Sequence, residues 1–149
     1  MTELKGLGVF EGKTHILPIA VYYEDTDLSG VVYHANYLRF MERARTEFFR
    51  LAGISRANLE DDEPSAWALR RIAVEYHRPA RLDDQLEVHS VLTGVSGVRM
   101  NIHQRVFCGE MLLVDARIEA CMITLTGKLR RLPQNVLETL APYVTAEET

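Results

Sequence analysis

Residues Glu24-Asp25-Thr26-Asp27 are followed by Ser29-Gly30 and then by His34. Carboxylates and an imidazole are groups that can do acid–base or nucleophilic chemistry. A carboxylate can deprotonate a water molecule or attack a carbonyl carbon itself. Asp27 is the candidate for either role, and the residue pattern leaves the choice open. Upstream, Leu17, Ile19, Val21 and Tyr23 alternate with Pro18, Ala20, Tyr22 and Glu24, the period of a half-buried strand. Continued, that parity sends Asp25 and Asp27 inward with Tyr23. A carboxylate aimed at an interior is costly unless something compensates, and such a conflict marks a functional stretch.

The elements that must hold this stretch follow from periodicity. A first strand is expected over about Ile16 to Glu24 and a helix over about Asn36 to Ala52. In the helix Leu38, Met41, Ala44, Phe48 and Leu51 form an apolar stripe, which Tyr37, Phe40 and Phe49 widen. Arg43 and Glu47 form an i,i+4 pair on its polar side, and Gly53 ends it. Arg56 to Pro64 is polar and acidic, read as a solvated loop or short helix. Four strands follow, over about Trp67 to Arg78, Gln85 to Thr93, Val98 to Phe107 and Met111 to Leu125. A parity change near Arg70-Arg71 signals a bulge, and Gly94-Val95-Ser96-Gly97 signals a hairpin. Pro133 opens a short final helix docked by Val136, Leu137 and Leu140. Met1 to Thr14 and Thr145 to Thr149 are expected to be flexible. One strand, a long helix, then four strands implies an α+β domain over residues 1–149, with an antiparallel sheet of about five strands.

Composition narrows the function. At 149 residues, 47% hydrophobic and 26% charged, the chain has the make-up of one globular domain. A formal charge of −4 offers no basic field for nucleic acid. No stretch has the roughly 20 apolar residues of a membrane span, and residues 1–15 do not read as a signal peptide. Cys108 and Cys121 read as buried small residues in a reducing compartment, so a cytoplasmic location is expected. No HxxxH, CxxC or carboxylate–histidine spacing marks a metal site. His15, His77, His89 and His103 are scattered over separate strands. No Gly-x-Ser-x-Gly is present.

The run Tyr23 to Tyr37, with Glu42-Arg43-Ala44-Arg45-Thr46-Glu47, is similar to the hotdog-fold acyl-CoA thioesterases of the YbgC, or 4-hydroxybenzoyl-CoA thioesterase-like, family. Val74 to Asp84 resembles that family's second signature. One departure is Ser29, where many relatives carry Gly or Ala; with Gly30 kept, it is expected to be inconsequential. The resemblance implies a hotdog fold, a sheet wrapped around one long helix, and hydrolysis of an acyl-CoA to free acid and CoA. It implies no cofactor beyond the coenzyme A of the substrate, and no metal.

The resemblance also implies site roles. Asp27 takes the family's catalytic carboxylate. The oxyanion site is backbone near His34, with Gly30 and Tyr33 beside it, at the start of the helix, where free N–H groups favour negative charge. The His34 side chain positions water or thioester, orients Asp27, or only packs. Asp25 is read as holding the turn. Tyr23, Tyr33, Tyr37, Met41, Trp67 and Leu69 are candidates for the acyl pocket or simply core. Arg78, Arg81 and Arg99 are candidates for the CoA phosphates, with Lys128, Arg130 and Arg131 as a second basic cluster. Two protomers are expected to share a continuous sheet, as a homodimer or homotetramer, with each site between subunits. Alternatives are an aromatic acyl-CoA or acyl carrier protein thioester, or a non-catalytic acyl-binding or interaction module linked to the Tol-Pal system.

Overall fold

Asn36–Ala52 form the long helix α1 of the structure, a computed structural model that describes residues 8–54 and 64–145. Its sequence has no Gly or Pro until Gly53, which takes a left-handed φ of 101° and returns its N–H to Arg50 and Phe49 carbonyls. That is the glycine stop expected from the sequence. The buried face is Tyr37, Phe40, Met41, Ala44 and Phe48, with Phe49 beside it. Leu38 and Leu51, expected on the stripe, are instead 37% and 39% exposed. There are more apolar residues here than one face can bury, and the aromatic ones, with more area to remove from water, take the interior. Glu47 pairs with Arg50 at 3.1 Å rather than with Arg43. The Arg43 guanidinium lies over the Phe40 ring at 6.0 Å.

α1 packs on an antiparallel sheet. Its strands are β1 (Val9–Glu11), β2 (Thr14–Ala20), β3 (Ser65–Tyr76), β4 (Gln85–Val95), β5 (Arg99–Cys108), β6 (Met111–Thr124) and β7 (Leu129–Arg130). The order is β1-β2-β4-β5-β6-β3, with β7 also on β6. A short helix α2 (Gln134–Leu140) follows Pro133, and Val136 and Leu140 bury its inner face as expected. The core divides along α1. Near the helix start, Tyr37, Phe40 and Met41 meet Leu17, Ile19, Val88 and Val114. Near its end, Phe48 and Phe49 meet Leu92, Met100, Met122 and the residues of α2.

The sheet has seven strands, not about five. The two additions, β1 and β7, have three and two residues, too few to show a period. β1 lies in the expected flexible lead-in. It is held by pairing with β2 and by Phe10, whose ring sits 5.0 Å from Phe48 and 4.7 Å from Tyr143. The acidic run Glu60 to Glu63, residues 1–7 and residues 146–149 lie outside the described residues. The β3 bulge falls between Leu69 and Arg71, as the parity change indicated. A second, between Leu92 and Gly94 in β4, lets that strand run on into the hairpin. β3 ends the sheet, with β6 on one side and, among the described residues, no strand on the other.

The revised helix face makes a stability prediction. Phe40→Ala should cost about 3–5 kcal/mol in urea denaturation, while Leu38→Ala should stay within about 0.5 kcal/mol of the parent.

Candidate active site

The first strand stops at Ala20, not Glu24. Tyr23–Asp25 turn into one 3-10 turn, and the cause is the Asp25 side chain. Its carboxylate is 4% exposed. It accepts the Tyr22 N–H at 2.9 Å and Asn36 Nδ2 at 2.6 Å, while its carbonyl accepts the Tyr33 N–H at 2.9 Å. One residue thus ties the end of the strand to the first residue of α1. Asp25 has the turn-holding role expected of it. The turn also breaks the period of two: Asp25 goes in, but Tyr23 is 83% exposed and Asp27 faces solvent. The inward path expected for Asp27 and Tyr23 is therefore not followed.

Asp27 heads a miniature hairpin. Its N–H bonds the Val31 carbonyl, its carbonyl accepts the Gly30 N–H, and Thr26 bridges Val32. This is a three-residue loop closed by a residue in the left-handed region, and Gly30 supplies it with φ 83°. A side chain at Gly30 would meet open space, so the backbone angle alone calls for glycine. The Asp27 carboxylate accepts the Ser29 N–H at 2.8 Å and a very short bond from the Ser29 hydroxyl. The hydroxyl and then the N–H of Ser29 hold its pKa below the ordinary aspartate value, against a smaller opposing effect of desolvation. Ser29, the residue expected to be inconsequential, is the one that touches the candidate carboxylate.

His34 stands just before α1, exposed, with its ring between Tyr33 (4.5 Å) and Tyr76 (6.4 Å). The Tyr76 hydroxyl donates to the His34 carbonyl at 3.0 Å. Of the three backbone groups considered for an oxyanion, two are committed: Gly30 N–H to Asp27 and Tyr33 N–H to Asp25. Among the described residues the His34 N–H has no acceptor. A shallow cavity of about 270 Å³ opens here, lined by Val32, His34, Tyr37, Tyr76 and His77–Pro79. Tyr37 reaches it only in part, being 3% exposed, with its hydroxyl accepting the Ala80 N–H at 2.9 Å. Burial raises the pKa of both Tyr37 and Tyr76, so both phenols stay protonated at neutral pH.

A sheet on one long helix has known counterparts. Residues 21–140 match the model of the thioesterase-like superfamily. The chain belongs to that superfamily. The Escherichia coli O157:H7 protein named acyl-CoA thioester hydrolase YbgC is 42% identical over 122 residues, 80% of this chain and 90% of that one. The Haemophilus influenzae acyl-CoA thioesterase YbgC is 38% identical, over 76% of this chain and 82% of its own. Among solved structures, a probable thioesterase from Bartonella henselae superposes with a TM-score of 0.77 at 38% identity, over 80% of this chain and 99% of that one. The fold is the hotdog fold of these thioesterases.

Not every residue that the superfamily resemblance singled out comes together. Arg78 lines the cavity with His34. Arg81 is nearby, bridged to Val31, with its N–H on Asp84. Arg99 is not. It pairs with Cys121 of β6, whereas Tyr76 pairs with Val114, and seven strand residues separate the two, about 24 Å. Arg99 instead lies 3.7 Å from Glu119, which also binds Arg70. Arg130 bonds Ser65. Met41 is wholly buried core, and Trp67 and Leu69 line a different cavity farther along α1. Sequence reasoning missed Ser29 and Tyr76. The signal for Ser29 was its place two residues after Asp27, where a hydroxyl closes an Asx or ST turn.

The Ser29 contacts make a titration prediction. Because the folded pKa of Asp27 lies below its unfolded value of about 3.9, the turn's contribution to stability is present above that value. It is lost as pH falls through the folded pKa. Ser29→Ala removes the hydroxyl bond, so the Asp27 midpoint read by carboxyl NMR should rise towards the ordinary value. The acid limb of the activity profile should rise with it.

Proposed function

We propose that the protein hydrolyses acyl-CoA thioesters to the free acid and CoA, with Asp27 as its catalytic carboxylate. The observation that carries this reading is that one loop holds both an exposed Asp27 kept ionised by Ser29 and, seven residues on at the start of α1, a His34 N–H with no acceptor among the described residues. The YbgC names of its relatives support the substrate class. In one route Asp27 takes a proton from water, the hydroxyl adds to the thioester carbonyl, and the tetrahedral oxyanion expels CoA as thiolate. In the other, Asp27 adds to the carbonyl and expels the thiolate, and water then cleaves the mixed anhydride. Both need a donor at the oxyanion. The His34 N–H fills that role, and one such donor is worth about 2.7–4 kcal/mol of transition-state stabilisation. The Tyr76 bond fixes the next carbonyl along. Arg78 lines the cavity and Arg81 lies in the chain just beyond it, bridged to Val31, so both are candidates for the CoA phosphates.

The active form in this reading is a dimer or tetramer working in the cytoplasm. Twelve-residue β3 lies at the sheet edge with Leu69 and Tyr76 about half exposed, and a long open edge is a ready pairing surface. A partner there would also roof the shallow cavity beside His34.

Two measurements test these statements. In thiol-release assays over short, long and aromatic acyl-CoAs, Asp27→Asn should lower kcat/KM by about 100-fold or more; equal rates for variant and parent would remove Asp27 from the mechanism. Light scattering should give at least twice the 17.0 kDa chain mass, and an active monomer would remove the edge-pairing proposal.

A further inference from the structure

A second cavity, of about 350 Å³, is larger than the one beside His34. It lies between the middle of α1 and the first half of β3. Its walls are Phe49 and Trp67, stacked with centroids 5.5 Å apart and planes 12° apart, with Leu69 and Met100. The walls are apolar, yet Arg45 lines the cavity too. Arg45 is half-buried, and its Nη1 bonds Gln104 Oε1 at 2.9 Å. Among the described residues it has no carboxylate within ion-pair distance.

Gln104 explains how Arg45 is held. It is wholly buried, and its amide nitrogen donates to the Met41 carbonyl at 3.0 Å and the Ser90 hydroxyl at 2.9 Å. With both donors used, its oxygen must face Arg45. A guanidinium carries five N–H donors, and a neutral amide oxygen meets only part of that capacity. Desolvation lowers the pKa of Arg45, and Glu42 offsets this only in part. Glu42 lines the same cavity but is exposed, and solvent screens an exposed charge far more than a buried one. Of the two charges that line the cavity, Arg45 is therefore the less screened. A planar guanidinium at the end of an apolar slot is matched by a carboxylate, which it can grip with two parallel bonds.

Arg45 is nine residues beyond Asn36, about 14 Å along the helix, and helical side chains lean back towards the N-terminus. Measured along α1, an extended chain of about twelve carbons whose thioester sits at His34 is long enough to reach the Arg45 end of this cavity. Building on the thioesterase reading, we infer that Arg45 recognises the distal carboxylate of a long ω-carboxyacyl group, so that the preferred substrates are monothioesters of dicarboxylic acids. Gln104 is the positioning residue for that contact.

The test compares dodecanedioyl-CoA with dodecanoyl-CoA, and free dodecanedioate with dodecanoate by calorimetry, on the intact protein. The parent should favour the diacid in both, by about tenfold or more through KM, the scale of one charge-assisted bond. Arg45→Met should erase that preference and Arg45→Lys keep part of it. Thr46→Phe, which fills the cavity from an exposed helix position, should weaken diacid binding while leaving Arg45 in place, and it serves if Arg45→Met does not fold. Hydrolysis of both thioesters at equal efficiency, or a preference that survives Arg45→Met, would overturn the inference and leave the thioesterase reading standing. Selective binding of dodecanedioate without cleavage of either thioester would uphold the cavity's role and overturn the thioesterase reading. No selective binding in calorimetry, together with no cleavage, overturns both.

Discussion

The structure of the site depends on one buried carboxylate. Asp25 sits in the interior and accepts from Tyr22 and from Asn36. These bonds compensate the cost of removing the charge from water. They also fix where β2 ends and where α1 begins. Everything between, including the Asp27 hairpin and the His34 peptide, is a loop of set length strung between two fixed points. Without that tie, each donor left buried would cost about 1–3 kcal/mol, and the segment would have little else to define it.

The rest of the molecule supplies a rigid floor for this clasp. Phe40 and Met41 lie wholly buried one turn into α1, so the helix cannot rotate to relax a misplaced start. The return of the chain after β3 is bolted on as well. Val32 donates to Ala80, Val21 to the Asp84 carbonyl, and Asp83 back to Val21. The two stretches that the sequence singled out, separated by some forty residues, thus meet as short antiparallel contacts around the cavity. The site is built from loops, but each loop is anchored in a core strand or in α1.

The elements with a long period were legible in the sequence. α1 has the expected bounds, the last four of the five longer strands lie within about two residues of where alternation placed them, and the β3 bulge was visible as a change of parity; the first strand overlaps its expected span but stops at Ala20. The motif pointed to the candidate site, and its resemblance to thioesterases named the fold. What was not legible has physical causes. β1 and β7 are too short to show a pattern. The inner face of α1 was misjudged at Leu38 and Leu51, because hydrophobicity alone does not rank apolar residues competing for one stripe. The parity argument held at Asp25 and failed at Tyr23 and Asp27, because the Asp25 side chain, bonded to the Tyr22 N–H, turns the chain and overrides a strand's alternation. Ser29 was passed over because a family comparison treats a departure as noise, whereas the hydroxyl finds a partner two residues away. Arg45 was visible only as one residue of the motif's helical run and Gln104 not at all, since their contact spans 59 residues of chain.

The Asp27 hairpin has a fixed length and a free tip. Thr26 and Val32 close it, Gly30 supplies the single left-handed angle, and Leu28 at its apex is fully exposed among the described residues. Adding or deleting one residue would change the loop class and turn the carboxylate to the other face. Replacing Leu28 would change neither. Chemistry and outer surface are therefore separable here: descendants of this chain can diversify the apex, and with it whatever meets the rim of the site, by point substitution while insertions and deletions are selected against.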